Sequence, residues 1–188
     1  GGDMKDMRLI LIEPELEDYW YEKQLLEDPN TMDYNAGYEV SYEGYHYDTG
    51  CIDFPKSKWE ASYQKRETTD RFFAYLKDNI KDCYVGYVNY QYNPTEKRYE
   101  CGILIEDKYR GLGYSKEGLY LLCDTAFKNG VDALYDSFEK DRISAIKVFE
   151  EIGFQVIETS TWKKFDEIVE GVTICLTKEQ FYKKKENF

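Results

Sequence analysis

The run Arg110-Gly111-Leu112-Gly113-Tyr114-Ser115 constrains this chain more than any other stretch, because it separates two segments of different period. Upstream, residues 99–105 are a short β-branched, aromatic-flanked run that stops at the charged turn Glu106-Asp107-Lys108, the pattern of a strand. Downstream, residues 116–127 carry Leu119, Leu122, Cys123, Ala126 and Phe127 at close to helical spacing. A strand, a glycine turn and a helix start make an anion cradle. Glycine lets backbone approach a ligand closely, and the N–H groups of a first helical turn have no partner within the helix. A phosphate-bearing ligand is the expectation; taken alone, the turn reads equally well as a plain strand-to-helix connection.

The spacing narrows the ligand. No Gly-Lys-Ser/Thr closes the turn, which excludes a P-loop, and Lys116 stands where the dinucleotide fingerprint needs its third glycine. Arg110, Gly113 and Ser115 instead match Arg/Gln-x-x-Gly-x-Gly/Ala, with Ser115 a small departure at the last position. A second block, residues 141–154, follows the strand-like run 133–138 and ends in Gly153-Phe154. There a left-handed glycine stops the helix and the next aromatic packs back on it. Together the two blocks resemble the pyrophosphate loop and the Asn-x-x-Ala-x-x-x-Tyr-x-x-x-Gly-Phe helix of the GNAT N-acetyltransferases, and the resemblance covers about residues 70–160. It implies an α/β (α+β) fold: a mixed, mostly antiparallel central sheet flanked by helices, with a splay between the strands at about 99–105 and 133–138.

The 188 residues suit one domain over 3–188, with Gly1-Gly2 set aside as an expression scar. No signal peptide and no apolar run of about 18 residues is present, so a soluble cytoplasmic protein without a membrane partner is expected. Cys51, Cys83, Cys101, Cys123 and Cys175 are scattered and odd in number, which argues against a disulfide framework or a metal site. The 25 Lys and Arg against 37 Asp and Glu give a net charge of −12, which disfavours nucleic acid. The same charge would draw cationic amines, or simply keep the chain soluble. Nothing signals an oligomeric state.

In chain order, residues 7–12 read as a strand, and Pro14 at N1 opens a helix through about Asp28 with Tyr19, Trp20, Leu25 and Leu26 on its apolar side. Asp28-Pro29-Asn30 is a breaker. A loop with Tyr34, Tyr38, Tyr42, Tyr45 and Tyr47 follows, then a helix over 55–66 and three antiparallel strands at 71–76, 84–92 and 99–105. After the turn come the helix, the strand at 133–138, a helix at 142–152, strands at 154–159 and 172–177, and a charged tail.

The resemblance implies acetyl-CoA as donor; the single histidine and unclustered cysteines make a metal site unexpected. The backbone of Arg110, Gly111, Leu112, Gly113, Tyr114 and Ser115 would hold its pyrophosphate, with Arg110 adding a charge-assisted contact and Leu112 and Tyr114 pointing away. Ile103, Leu104 and Ile105 would pair with the pantetheine arm as an added strand does. A backbone N–H near Leu104 or at Ile105 would stabilise the oxyanion. Glu100 is the general-base candidate, or else a surface glutamate on a polar strand face. Tyr34, Tyr38, Tyr42 and Tyr45 lie in the family's acceptor-roofing loop; they suit a small-molecule amine or a peptide N-terminus, or merely cover the first helix. Two departures stand out. Phe149 replaces a tyrosine that in many members protonates the leaving thiolate, and neither Tyr114 nor Tyr135 is singled out as its substitute. Arg142 replaces the asparagine and could approach a coenzyme phosphate. His46, the only histidine, reads as a loop residue rather than a catalyst. A catalytically silent acyl-CoA binder is the competing reading, favoured by Phe149.

Overall fold

The structure is a computed structural model describing residues 7–186, so Gly1 and Gly2, which the sequence reading sets aside, lie outside the described residues. Its strands are β1 (Leu9–Ile12), β2 (Arg71–Asp78), β3 (Cys83–Asn93), β4 (Arg98–Ile105), β5 (Ala133–Glu139), β6 (Gln155–Lys164) and β7 (Glu167–Thr177). They form one seven-stranded sheet in the order β1-β2-β3-β4-β5-β7-β6. Every pairing is antiparallel except β4 with β5. That parallel pair meets only at Tyr99 with Leu134 and at Glu100 with Tyr135, and beyond it the strands part. The mixed sheet and its splay are those the sequence led us to expect.

Strand alternation puts a different apolar set on each face. On β4, Cys101, Ile103 and Ile105 join the core under α4 (Tyr114–Lys128), α5 (Ile143–Ile152) and α6 (Lys178–Lys185). Leu104 turns the other way, into a second cluster with Leu25, Met32, Phe54 and Tyr75 beneath α1 (Trp20–Leu26) and α2 (Pro29–Met32). In α4, Leu119, Leu122, Cys123, Ala126 and Phe127 are fully buried, as their spacing predicts. Each large side chain so buried contributes about 1.5–3 kcal/mol. Gly118 lets this helix sit close to the sheet: a Cβ there would come within 2.7 Å of Leu76 Cδ1. The helix that carries the glycine turn is thereby fixed on the sheet.

Three local expectations are corrected. Pro14 does not open a helix; Leu16–Asp18 forms a 3-10 turn with a Glu15–Asp18 capping box, and α1 begins at Trp20. The buried Tyr75 hydroxyl bridges the turn and the helix, donating to the Asp18 carbonyl (2.7 Å) and accepting from the Glu22 N–H (3.2 Å). Tyr19, Leu25 and Leu26 are buried as expected, whereas Trp20 is 49 % exposed and Tyr21 is buried. Asp28 and Pro29 end one helix and also begin α2, Asp28 capping the Asn30 N–H. Lastly, β6 and β7 are longer than the sequence suggests and meet in a two-residue turn, Phe165-Asp166, both with positive φ (49° and 63°). That is the hairpin geometry matched to strand twist. β6 is an almost wholly exposed edge strand, so no buried alternation announced it.

The hairpin grips the loop that follows α2. The Phe165 N–H donates to the Gly37 carbonyl (2.8 Å), and the Gly37 N–H to Tyr47 (2.8 Å). The Tyr38 hydroxyl donates to buried Glu139, which also pairs with Lys164 (3.2 Å). The helix at 59–66 appears as expected, as α3 (Trp59–Arg66).

Candidate active site

Residues 105–115 carry the chain from the end of β4 through a 3-10 turn, Asp107–Tyr109, to the start of α4. Gly111 (φ 77°) and Gly113 (φ 86°) adopt the left-handed conformation that other residues rarely take. Gly113 is the N-cap of α4 and brings no side chain to cap it. The N–H groups of the first turn therefore face outward, at the positive end of a 15-residue helix. Leu112 points out (47 % exposed) and Tyr114 points into the core, where its hydroxyl donates to Asp78 (2.5 Å). Arg110 is a brace rather than a free cation. It donates to the carbonyls of Thr31 (2.7 Å) and Ile105 (3.2 Å), tying α2 to the end of β4.

The splay opens a cavity of about 830 Å³. Gly111, Gly113 and Ser115 of the turn line it, with Ile103, Leu104 and Ile105 of β4. Across the gap stand Asp136 and Phe138 of β5 and Arg142 and Phe149 at α5, and Tyr34 closes it from the loop. The expected cofactor residues thus come together, except the outward Leu112 and the inward side chain of Tyr114. The ladder also fixes backbone direction. The Glu106 N–H donates to Val85 on β3 (2.9 Å), so by alternation the N–H groups of Ile105 and Ile103 face the gap toward β5. Of the two oxyanion donors the sequence offers, Ile105 faces the cavity and Leu104 is paired across to β3.

Other expected residues lie elsewhere. The Glu100 carboxylate accepts from Asn93 Nδ2 (2.9 Å) and Arg98 Nε (3.0 Å) near the β3–β4 turn and does not line the cavity. Of the four loop tyrosines, only Tyr34 reaches it. Tyr38 is held by Glu139, Tyr45 donates to the Asn35 carbonyl (2.6 Å), and Tyr42 packs edge-on against Tyr45 at 5.4 Å. The loop is a plate braced from within, with one tyrosine forming the cavity wall. Arg142 lies over the rings of Tyr34 (5.1 Å) and Phe138 (5.9 Å), where it lines the cavity. Phe149 packs on Phe138 at 5.2 Å and Phe154 at 4.9 Å. His46 bonds Asp53 (2.9 Å), away from the cavity.

Among the cavity residues that escaped the sequence reading are Tyr87, Asn89 and Asp136. Asp136 had a signal. It shares a strand face with Leu134 and Phe138, an acid at an inward position. Burial pushes its carboxyl up to about 7, against the Ser137 N–H (2.8 Å) and the Arg142 charge, with Glu100 adding to the rise. Burial also raises the hydroxyls of Tyr34 and Tyr87 above the usual tyrosine range. All five cysteines are free, and among the described residues no group of three or more His, Cys, Asp or Glu could hold a metal ion. No described helix is long and apolar enough to cross a membrane.

Comparison with known proteins gives the same picture. A spermidine N-acetyltransferase from Vibrio cholerae, solved with CoA and spermine, superposes with a TM-score of 0.74 at 18 % identity, over 93 % of this chain and 98 % of that one. A Salmonella typhimurium protein solved with its cofactor acetyl-CoA gives 0.70 at 14 % identity, over 91 % and 94 %. A GNAT-family acetyltransferase from Streptococcus pneumoniae gives 0.71 at 13 % identity, over 90 % and 99 %. No curated protein matches significantly by sequence. The profile described as "Acetyltransferase (GNAT) family" matches residues 20–154, more than half of the chain, and so the chain belongs to the GNAT family of acetyltransferases.

Proposed function

We propose that the protein is a cytoplasmic enzyme that moves the acetyl group of acetyl-CoA to a primary amine by direct attack in a ternary complex. The observation that carries this reading is the uncapped turn at Gly111–Ser115 opening onto the cavity of the β4–β5 splay. The residues fit the donor. Outward N–H groups and the helix dipole suit a diphosphate, and the free edge of β4 at Ile103 suits an amide-bearing arm. The Ile105 N–H, aimed into the gap, suits the carbonyl oxygen of a thioester as it gains charge.

The acceptor enters from the side walled by Tyr34, Tyr87 and Asn89. A small-molecule amine is favoured over a peptide N-terminus, because the net charge of −12 attracts cations and because the Vibrio cholerae structure holds spermine. Thiol release from acetyl-CoA over a panel of polyamines, aminoglycosides and short peptides tests the reading. Amine-dependent release supports it. Tight coenzyme binding without release on any amine supports the second reading, a silent acyl-CoA binder, which Phe149 favours because a phenyl ring cannot protonate a thiolate.

A further inference from the structure

We infer that the Asp136 carboxyl is the proton carrier of the reaction, taking a proton from the attacking amine and delivering it to the departing sulfur. This rests on the acetyltransferase reading and deepens it. Asp136 is the first β5 residue beyond the last β4–β5 pair, Glu100 with Tyr135, and so stands where the gap begins. It lines the cavity together with Gly102 and Ile103 on one strand and Phe138 and Phe149 on the other side.

Elimination among the cavity's titratable groups points the same way. Arg110, Lys116 and Arg142 are cations, and Tyr34 and Tyr87 hold their protons. Of the three carboxylates, Asp33 is exposed and Glu151 pairs with Lys116 (3.5 Å) at the α4 end. Asp136 remains. The groups whose charge acts on it are Arg142 at the start of α5, Glu100 and Cys101 on β4, and Tyr34 from the loop.

The step balances on this one group. The amine lone pair attacks the thioester carbon and the C–N bond forms. The N–H proton passes to the Asp136 carboxylate. The carbonyl re-forms, the C–S bond breaks with its electron pair on sulfur, and the Asp136 proton goes to sulfur, restoring the carboxylate. A carboxyl at about 7 is a stronger base than an ordinary aspartate at about 3.9. It remains more acidic than a thiol at about 8.5, so delivery to the thiolate is downhill.

The test uses the full chain as Asp136→Asn and Asp136→Glu, with three readouts. Calorimetry is expected to give acetyl-CoA affinity within about threefold of the parent, because the diphosphate site is untouched. Turnover of Asp136→Asn should fall by about 10²–10⁴-fold, with the parent's rise in rate through pH 7 abolished and partly restored by glutamate. Carboxyl titration of the unliganded parent by difference infrared should show one group near 7 that is missing from Asp136→Asn, a readout that needs no turnover. An Asp136→Asn enzyme with parental rate and pH profile, or a parent whose carboxyls all titrate near 4, overturns the inference and leaves the acetyltransferase reading standing. A parent that binds acetyl-CoA yet acetylates no amine overturns both.

Discussion

Arg8 Nη2 donates to the carbonyl of Leu112 at 2.8 Å, so the residue just before β1 fastens the glycine turn from 104 positions away. The same guanidinium lies 4.2 Å from the centre of the Tyr114 ring and bonds Glu117 through Nε (2.9 Å). With its carbonyl held from behind, the Leu112–Gly113 peptide keeps its N–H on the cavity side.

Arg8→Ala is therefore expected to weaken acetyl-CoA binding about 5–30-fold, the loss of about 1–2 kcal/mol from one charge-assisted bond and a stacked cation. Calorimetry measures the affinity. The turnover number at saturating donor should change less than twofold, and Arg8→Lys should recover part of the affinity. A fall in turnover with unchanged affinity would mean that Arg8 does not set the turn.

Beneath the turn, Tyr114 and Asp78 form a buried pair that ties α4 to the end of β2. Burial alone would raise the Asp78 carboxyl, but the Tyr114 hydroxyl and the Lys81 and Ile80 amides hold it below its ordinary value. Its contribution to stability is therefore complete above the unfolded-state value and is lost as pH falls through the depressed native one. Tyr114→Phe should cost about 1–3 kcal/mol in urea unfolding at pH 7, and the difference should narrow below pH 4. A gap that widens in acid would reverse the assigned sign.

The loop over the cavity hangs on Tyr38, Glu139 and Lys164. Glu139→Ala leaves Lys164 without its nearly buried partner, and a loss on the order of 3 kcal/mol is expected. Tyr38→Phe is milder. It should raise the KM for the amine several-fold and leave acetyl-CoA affinity alone, because the loop meets the cavity through Tyr34 and not at the glycine turn. Steady-state kinetics with each substrate varied in turn would show the split; equal effects on both substrates would argue against it.

Glu100→Gln should keep turnover within about threefold across pH, since the side chain does not line the cavity and glutamine still accepts from one of its two donors, Asn93 or Arg98. A loss of a hundredfold or more would return the base role to Glu100.

What the sequence revealed was local. Gly111 and Gly113 stood out because their positive φ confines the turn to glycine, and α4 because its buried face repeats at helical spacing. Gly153 (φ 123°) and Phe154 likewise mark the end of α5. The parts that stayed hidden depend on distant partners. Nothing near Arg8 signals Leu112, and nothing near Tyr38 signals Glu139, which lies 101 residues on. Glu100 looked catalytic by its distance from Arg110 in the chain. Its strand position turns it instead toward Asn93 and Arg98, before the splay begins.

The most direct test of the cradle is an amide ¹H–¹⁵N titration of the full chain with coenzyme A. Large shifts are expected at the backbone amides of Gly111, Gly113, Tyr114 and Ser115, saturating together with smaller ones at Ile103 and Ile105. Binding that leaves the turn amides unmoved, or no binding at all, would contradict the claim that these bare N–H groups hold the diphosphate.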